Sequence, residues 1–186
     1  MERLKVFLSS TQKDLQPERD SAEALIVAEL AHQCLRAETL DAPGDSPEEA
    51  CRGLARSCDI YLGILGLNYG YKVPRLGISA TEMEYKEARK ADPGKVFIYV
   101  QEGDVLDADQ KRFLEEVQSF SDGYFRHGKF ASCGELKEQI RRDVITWTTQ
   151  KVREALKKQI ELRALRDKVE HMSRVMELYG IPEELR

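Results

Sequence analysis

The sequence predicts an α/β domain, a parallel sheet with helices on both faces, followed by a long C-terminal helix. Three observations carry this. Short apolar runs at residues 4–8 (LKVFL), 59–65 (DIYLGIL) and 95–100 (KVFIYV) are separated by stretches of helical periodicity, and strands alternating with helices at this spacing indicate βαβ units. The run at 59–65 is apolar almost throughout instead of alternating, as a central parallel strand buried on both faces would be. From 147 to 177 the chain contains no Gly or Pro and is dense in Lys, Arg and Glu, the pattern of one long solvated helix.

Taken in order, the first strand ends in Ser9-Ser10-Thr11, a polar loop. Pro17 suits the first turn of a helix and Glu18 its positive end, and Ala22, Leu25, Ile26 and Leu30 supply the buried stripe. Residues 34–40 read as a weaker second strand and 41–45 (DAPGD) as a loop. Ser46-Pro47-Glu48-Glu49 is a cap, a proline and two acids, which opens a second helix. After the third strand, residues 66–77 hold Gly66, Gly70 and Gly77 with Tyr69, Tyr71 and Pro74, a loop longer than a simple connection requires. Ser79-Ala80-Thr81-Glu82 matches a capping box and opens a third helix to about Ala91. A fourth helix is expected over 107–120, a fifth, edge strand over 124–130, and helix from 132 to about 179. The division is an α/β domain over 1–131 and a helical extension over 132–186. The expected sheet is flavodoxin-like, order 2-1-3-4-5, and such sheets bind ligands at the carboxyl ends of the strands where strand order reverses. The loops after Leu8 and Leu65 then face each other.

Bulk properties narrow the function classes. The formal net charge is −4, so nothing marks the chain as a nucleic-acid binder. No stretch approaches the ~20 apolar residues that span a bilayer, and the start lacks a signal-peptide core. The four cysteines form no C-x-x-C pair, which with the rest points to a reduced, cytoplasmic setting. There is no P-loop, no G-x-S-x-G elbow and no dinucleotide fingerprint. His32, His127 and His171 have no ligand or triad spacing, so no metal site is expected. Leu162, Leu165, Val169, Met172, Met176 and Tyr179 follow a 3-4 spacing, read either as a helix face packed on its own domain or as a coiled-coil seam that joins or clusters chains.

The candidate site is the loop set at the expected switch point. Ser9, Ser10 and Thr11 offer hydroxyls and backbone N–H groups where the first helix begins, and ordinary capping accounts for them equally well. Gly66 and Gly70 let a ligand approach the backbone, and Tyr69 and Tyr71 offer stacking faces for a base; a turn with tyrosines as packing lids is the alternative. Ser79 stands with these as a ligand contact. Glu82 lies three residues after Ser79, so the capping box absorbs it. Glu84 is not needed for that cap, and a carboxylate early in this helix can accept from ribose hydroxyls or stabilise an oxocarbenium-like centre.

Several segments resemble one family in the right order. They are Lys5-Val6-Phe7-Leu8-Ser9-Ser10-Thr11 with Asp14-Leu15 and Glu18-Arg19, the run 59–66 with Tyr69-Gly70, and Ser79-Ala80-Thr81-Glu82-Met83-Glu84-Tyr85. The chain resembles an uncharacterised domain family found at the N-terminus of STAND-type (NACHT/WD-repeat) ATPases and of anti-phage defence proteins. That family is similar to Toll/interleukin-receptor (TIR) domains and nucleoside deoxyribosyltransferases. The link is Thr81-x-x-Glu84-x-x-x-Ala88, then Gly94-Lys95 entering the fourth strand. The resemblance implies that Glu84 is catalytic, with Glu82 as second choice. It implies NAD or a nucleoside as substrate, cleaved at the N-glycosidic bond with no cofactor required. It also implies self-association and C-terminal fusion to a STAND-type sensor. The other function it implies is a non-enzymatic adaptor built on TIR-like contacts. Ala80 stands where many TIR domains carry tryptophan, and the deoxyribosyltransferase D-x-G-T is missing.

Overall fold

The computed structural model describes residues 3–12, 14–39, 46–119 and 128–180. Five parallel strands form one sheet in the order β2-β1-β3-β4-β5, made of β1 (Lys5–Ser10), β2 (Gln33–Leu35), β3 (Ile60–Leu65), β4 (Val96–Gln101) and β5 (Lys129–Phe130). Among the described residues the α-helices are α1 (Gln16–Ala24), which runs on into a π-helical turn (Leu25–Glu29), α2 (Pro47–Ser57), α3 (Ala80–Ala91), α4 (Ala108–Gln118) and α5 (Cys133–Leu178). The chain divides into two compact units, Met1–Arg141 and Arg142–Arg186.

Both faces of the sheet are covered, and strand alternation says by what. Phe7, Tyr61, Leu65, Val96, Ile98 and Val100 join Ala55 of α2, Tyr85 and Ala88 of α3 and Phe113, Leu114 and Val117 of α4 in one buried cluster. The alternate residues, Val6, Leu8, Ile60, Leu62, Ile64, Phe97 and Tyr99, are buried as well. Burial on both faces is why these strands carry continuous apolar runs. β1 and β3 pair in register from Val6↔Ile60 to Ser10↔Ile64, which sets the polar end of β1 beside the end of β3.

The helix starts follow their chemistry. The Ser46 Oγ accepts from the Glu49 N–H at 3.2 Å and the Ser79 Oγ from the Glu82 N–H at 3.1 Å, each satisfying an orphan donor of the first turn. α1 differs, because its N-cap is Leu15 with no side-chain cap, which leaves the hydroxyls of 9–11 for other partners. The buried Lys95 donates from Nζ to the carbonyls of Arg56 (2.7 Å) and Cys58 (2.9 Å) at the end of α2, where a cation suits the helix dipole.

Two expectations shift. The second strand is three residues, Gln33–Leu35, because past Leu35 the chain leaves β1 and turns through a 3₁₀ segment, Ala37–Thr39. The strand expected from residue 124 is described only at Lys129–Phe130; residues 120–127, and the loop expected at 41–45, lie outside the described residues. α5 closes at Gly180, whose φ of +67° suits a residue without Cβ past a helix end.

Two glycines should respond oppositely to a side chain. A Cβ on Gly63 would lie 2.6 Å from Ile98 Cδ1 and 3.2 Å from the Tyr61 ring, whereas one on Gly53, in α2, meets nothing within 4 Å. Gly63→Val is expected to lower unfolding free energy by about 1–3 kcal/mol through overpacking, and Gly53→Ala to raise it by about 0.5–1 kcal/mol; urea melts of both variants measure this.

Candidate functional site

A cavity of about 670 Å³ opens at the carboxyl ends of β1 and β3. Ser9, Ser10 and Thr11 line it from β1 and the turn after it, Asn68, Gly70 and Tyr71 from the loop after β3, and Ala80, Thr81 and Glu84 from α3. Gln12, Asp14, Cys51, Arg19 and Glu38 complete the polar wall, and Leu8 and Ala37 contribute apolar surface. The loops come together closely. Gly70 has φ +80°, and a Cβ there would sit 2.7 Å from Thr11 Cγ2, so only glycine admits this approach.

Ser9 and Ser10 point to opposite faces of the sheet, as successive strand residues must. The Ser9 Oγ donates to Glu84 Oε2 at 2.5 Å, although 75 residues separate them. Glu84 is 5% exposed. Burial pushes its carboxyl up to about 7, against partial relief from Ser9, the Cys51 thiol and the positive charge of Arg19. Among the described residues the carboxylate is therefore held by a hydroxyl and a thiol instead of by a directly paired cation. Cys51 is raised to about 12 by burial and by the same carboxylate, so its thiol stays protonated and acts as a donor.

Ser10 turns to the other side. Its Oγ accepts from Arg19 Nη1 at 2.6 Å. Arg19 is 1% exposed, and its Nη2 pairs with Glu38, which follows β2. Glu38 also meets Arg36 Nε at 3.4 Å and Gln12 Nε2 at 3.4 Å. Burial acts to raise the Glu38 carboxyl, but its own backbone N–H and the two arginines outweigh this and hold it below the usual range.

Glu82 and Glu84 are two residues apart, about 200° around the helix, and occupy unlike environments. Glu82 is fully buried and accepts from Tyr69 Oη (2.5 Å), Lys86 Nζ (2.6 Å) and Arg112 Nη2 (2.7 Å). Burial acts to raise it, yet these donors keep it lowered and ionised. Tyr69 is 2% exposed and takes part in this network rather than lining the crevice. Ser79 is occupied by capping, and the Gly66 carbonyl accepts from Gln110 Nε2 at 2.6 Å. The structure thus brings Ser9, Ser10, Thr11, Gly70 and Glu84 around one cavity and places Glu82, Tyr69, Ser79 and Gly66 outside its lining.

Sequence reasoning assigned no site role to Arg19, Glu38 or Cys51, and of the two tyrosines expected as stacking faces it is Tyr71 that lines the cavity. One signal was available for Arg19. It follows Glu18 on the stripe that carries Ala22 and Ile26 at i+3 and i+7, so an arginine faces the sheet and needs a buried acceptor. The exposed Tyr71, at 71%, is the aromatic beside the cavity.

A family model described as "Domain of unknown function (DUF4062)" matches residues 5–145. No curated protein matches the sequence. Among solved structures, the chain is similar to a CMP N-glycosidase of Clostridium botulinum, BcmB, with 17% identity and a TM-score of 0.45 over 74% of this chain and 98% of that one. It is also similar to the TIR domains of the activated Roq1 resistosome that recognises the pathogen effector XopQ, with 12% identity and a TM-score of 0.49 over 76% and 99%.

Glu84 makes stability depend on pH with a definite sign. Its folded-state value of about 7 lies above the ordinary 4.5, so its stabilising contribution is full below about pH 4.5 and is lost as pH rises through 7. Glu84→Gln stays neutral throughout. The variant is expected to gain on the parent protein between pH 5 and 8, by up to roughly 3 kcal/mol, in unfolding measured across that range; a constant difference would refute the buried, raised carboxyl.

Proposed function

The chain belongs to the DUF4062 family, and from that premise and the crevice geometry we propose that it is a nucleotide-handling effector domain that cleaves an N-glycosidic bond of NAD or a related nucleoside. The observation that carries the reading is the buried Glu84, held by Ser9 inside a cavity at the carboxyl edge of a parallel sheet. Ligands of such folds bind at this edge. The resemblance of Thr81-x-x-Glu84-x-x-x-Ala88 to deoxyribosyltransferases supports the same residue.

In the proposed reaction the bond between ribose C1′ and the base nitrogen breaks, and its electron pair leaves with the base. The sugar passes through an oxocarbenium-like state. The ionised Glu84 stabilises that positive charge or adds to C1′; a water oxygen then bonds to C1′, displacing Glu84 in the second case, and the water's proton passes to the departed base or to solvent. A carboxylate that lacks a directly paired cation interacts more strongly with the positive charge that develops at C1′ than with the uncharged sugar of the bound substrate, and such a difference is what accelerates a reaction. Ser9 fixes the side-chain direction, and Tyr71 offers its ring to the base. Ser10, engaged with Arg19, helps to shape the sugar pocket.

A second reading is an interaction domain that works by self-association. It is favoured by α5, where Leu162, Leu165, Val169, Met172 and Tyr179 are exposed by 56–80% at heptad-like spacing. Fusion of α5 to a STAND-type sensor, with clustering as the trigger, accommodates both readings. Among the described residues no helix is long and apolar enough to cross a membrane.

The two readings separate by assay. Concentrated protein is incubated with NAD and with a panel of ribonucleosides, and release of free base is followed. Release that rises as pH passes through 7 and falls at least about 100-fold in Glu84→Gln is expected. Glu82→Gln is expected to lower stability by about 1–3 kcal/mol while the folded enzyme keeps its activity. Loss in Glu82→Gln alone would move the site to the other acid, and no release under any clustering condition would leave the interaction domain.

A further inference from the structure

The cavity is asymmetric in charge, and the asymmetry bears on which substrate it takes. Among the described residues that line it, Arg19 is the one cation, whereas Asp14, Glu38 and Glu84 are acids. A phosphate-binding pocket ordinarily presents cations or free N–H groups. Here both Nη atoms of the guanidinium are engaged, and only its Nε is left without a hydrogen-bond partner among the described residues. The guanidinium donates to the Ser10 Oγ and to the Glu38 carboxylate, and the Glu38 charge neutralises it. The Asp14 carboxylate accepts from Asn68 Nδ2 at 2.9 Å.

Glu38 itself is open to a ligand. Its side chain is 36% exposed and lies in the cavity wall. It stands just past the end of β2, on the strand beside β1. In open parallel sheets an acidic residue that follows the second strand is well placed to accept from ribose hydroxyls. Two of its contacts, from Arg36 Nε and Gln12 Nε2, are long at 3.4 Å. The Gln12 side chain is exposed, so a ribose hydroxyl at ordinary hydrogen-bond length can replace it at little cost.

We infer that Glu38 determines specificity in this crevice: its carboxylate receives the sugar hydroxyls of an unphosphorylated ribonucleoside and, by neutralising Arg19, disfavours a ligand with a 5′-phosphate. The inference rests on the nucleoside-cleaving reading above and narrows it from nucleotides in general to free nucleosides. A phosphate in the crevice would give up part of its water opposite three carboxyl groups and one cation already paired with Glu38, which is the unfavourable side of burying a charge.

The test is a calorimetric titration of the full chain with ribonucleosides and their 5′-monophosphates, repeated on Glu38→Gln and Glu38→Asp. The parent protein is expected to bind at least one nucleoside about tenfold or more tightly than its monophosphate. Glu38→Gln keeps the shape of the pair but frees the Arg19 charge, so monophosphate binding should strengthen by about tenfold and nucleoside binding weaken. Glu38→Asp retains the negative charge and should keep the preference against phosphate, which separates the charge effect from local damage. Monophosphates that bind the parent as tightly as nucleosides, or a Glu38→Gln variant with unchanged preference, would overturn the inference while the crevice stays a nucleotide site. If neither ligand class binds and no base is released, the nucleoside-cleaving reading falls and this inference with it.

Discussion

One hydrogen bond holds the candidate site together, that from the Ser9 hydroxyl to the Glu84 carboxylate at 2.5 Å. It joins the end of the first strand to the third helix, two segments that meet only when β1 and β3 pair side by side. Water is nearly excluded, so the bond acts where a carboxylate is expensive to ionise. Neutral donors lower that expense without removing it, and Glu84 therefore titrates near 7. Stability favours the protonated form and the proposed chemistry needs the ionised one. A site that destabilises its own resting fold in this way is a familiar outcome of selection for function.

Around that bond the structure sorts its charges into two networks. On one side, Glu82 ties Tyr69, Lys86 and Arg112 together and so fastens α3 to α4. On the other, Arg19 links Ser10 to Glu38, with Arg36 alongside. Each network satisfies its own charges, as burial requires. Neither supplies Glu84 with a direct cationic partner. The separation follows from periodicity: two residues along a helix turn one acid away from its neighbour, and one residue along a strand sends Ser9 and Ser10 to opposite faces.

The fold was legible because its signals are local. Apolar runs, the cap at Ser46-Pro47, the Ser79 cap and the Gly/Pro-free stretch of α5 each depend on neighbours a few residues away, and strands that alternate with helices mark a parallel sheet; the carboxylate half of the capping box is not formed, because Glu82 pairs with Tyr69, Lys86 and Arg112 instead. The places where expectation and structure part are equally instructive. β2 is short because the chain leaves β1 to deliver Glu38 to Arg19, a demand that no periodicity in residues 34–40 records. The hydroxyls of 9–11 invite a capping interpretation, yet α1 starts at Gln16 with no side-chain cap, and two of the three hydroxyls serve partners far along the chain or one helix turn into α1.

By itself the sequence determined the layered α/β architecture and the order of its strands, since apolar patterning and helix caps are written in residues close together. Only the tertiary structure decided which side chains share the cavity. Tyr69 looked like a lid and became a buried partner of Glu82, while Tyr71, Cys51, Arg19 and Glu38 reached the crevice. Side-chain direction at a loop and pairing between distant charges are set by how helices seat on the sheet, and that packing is a property of the whole chain.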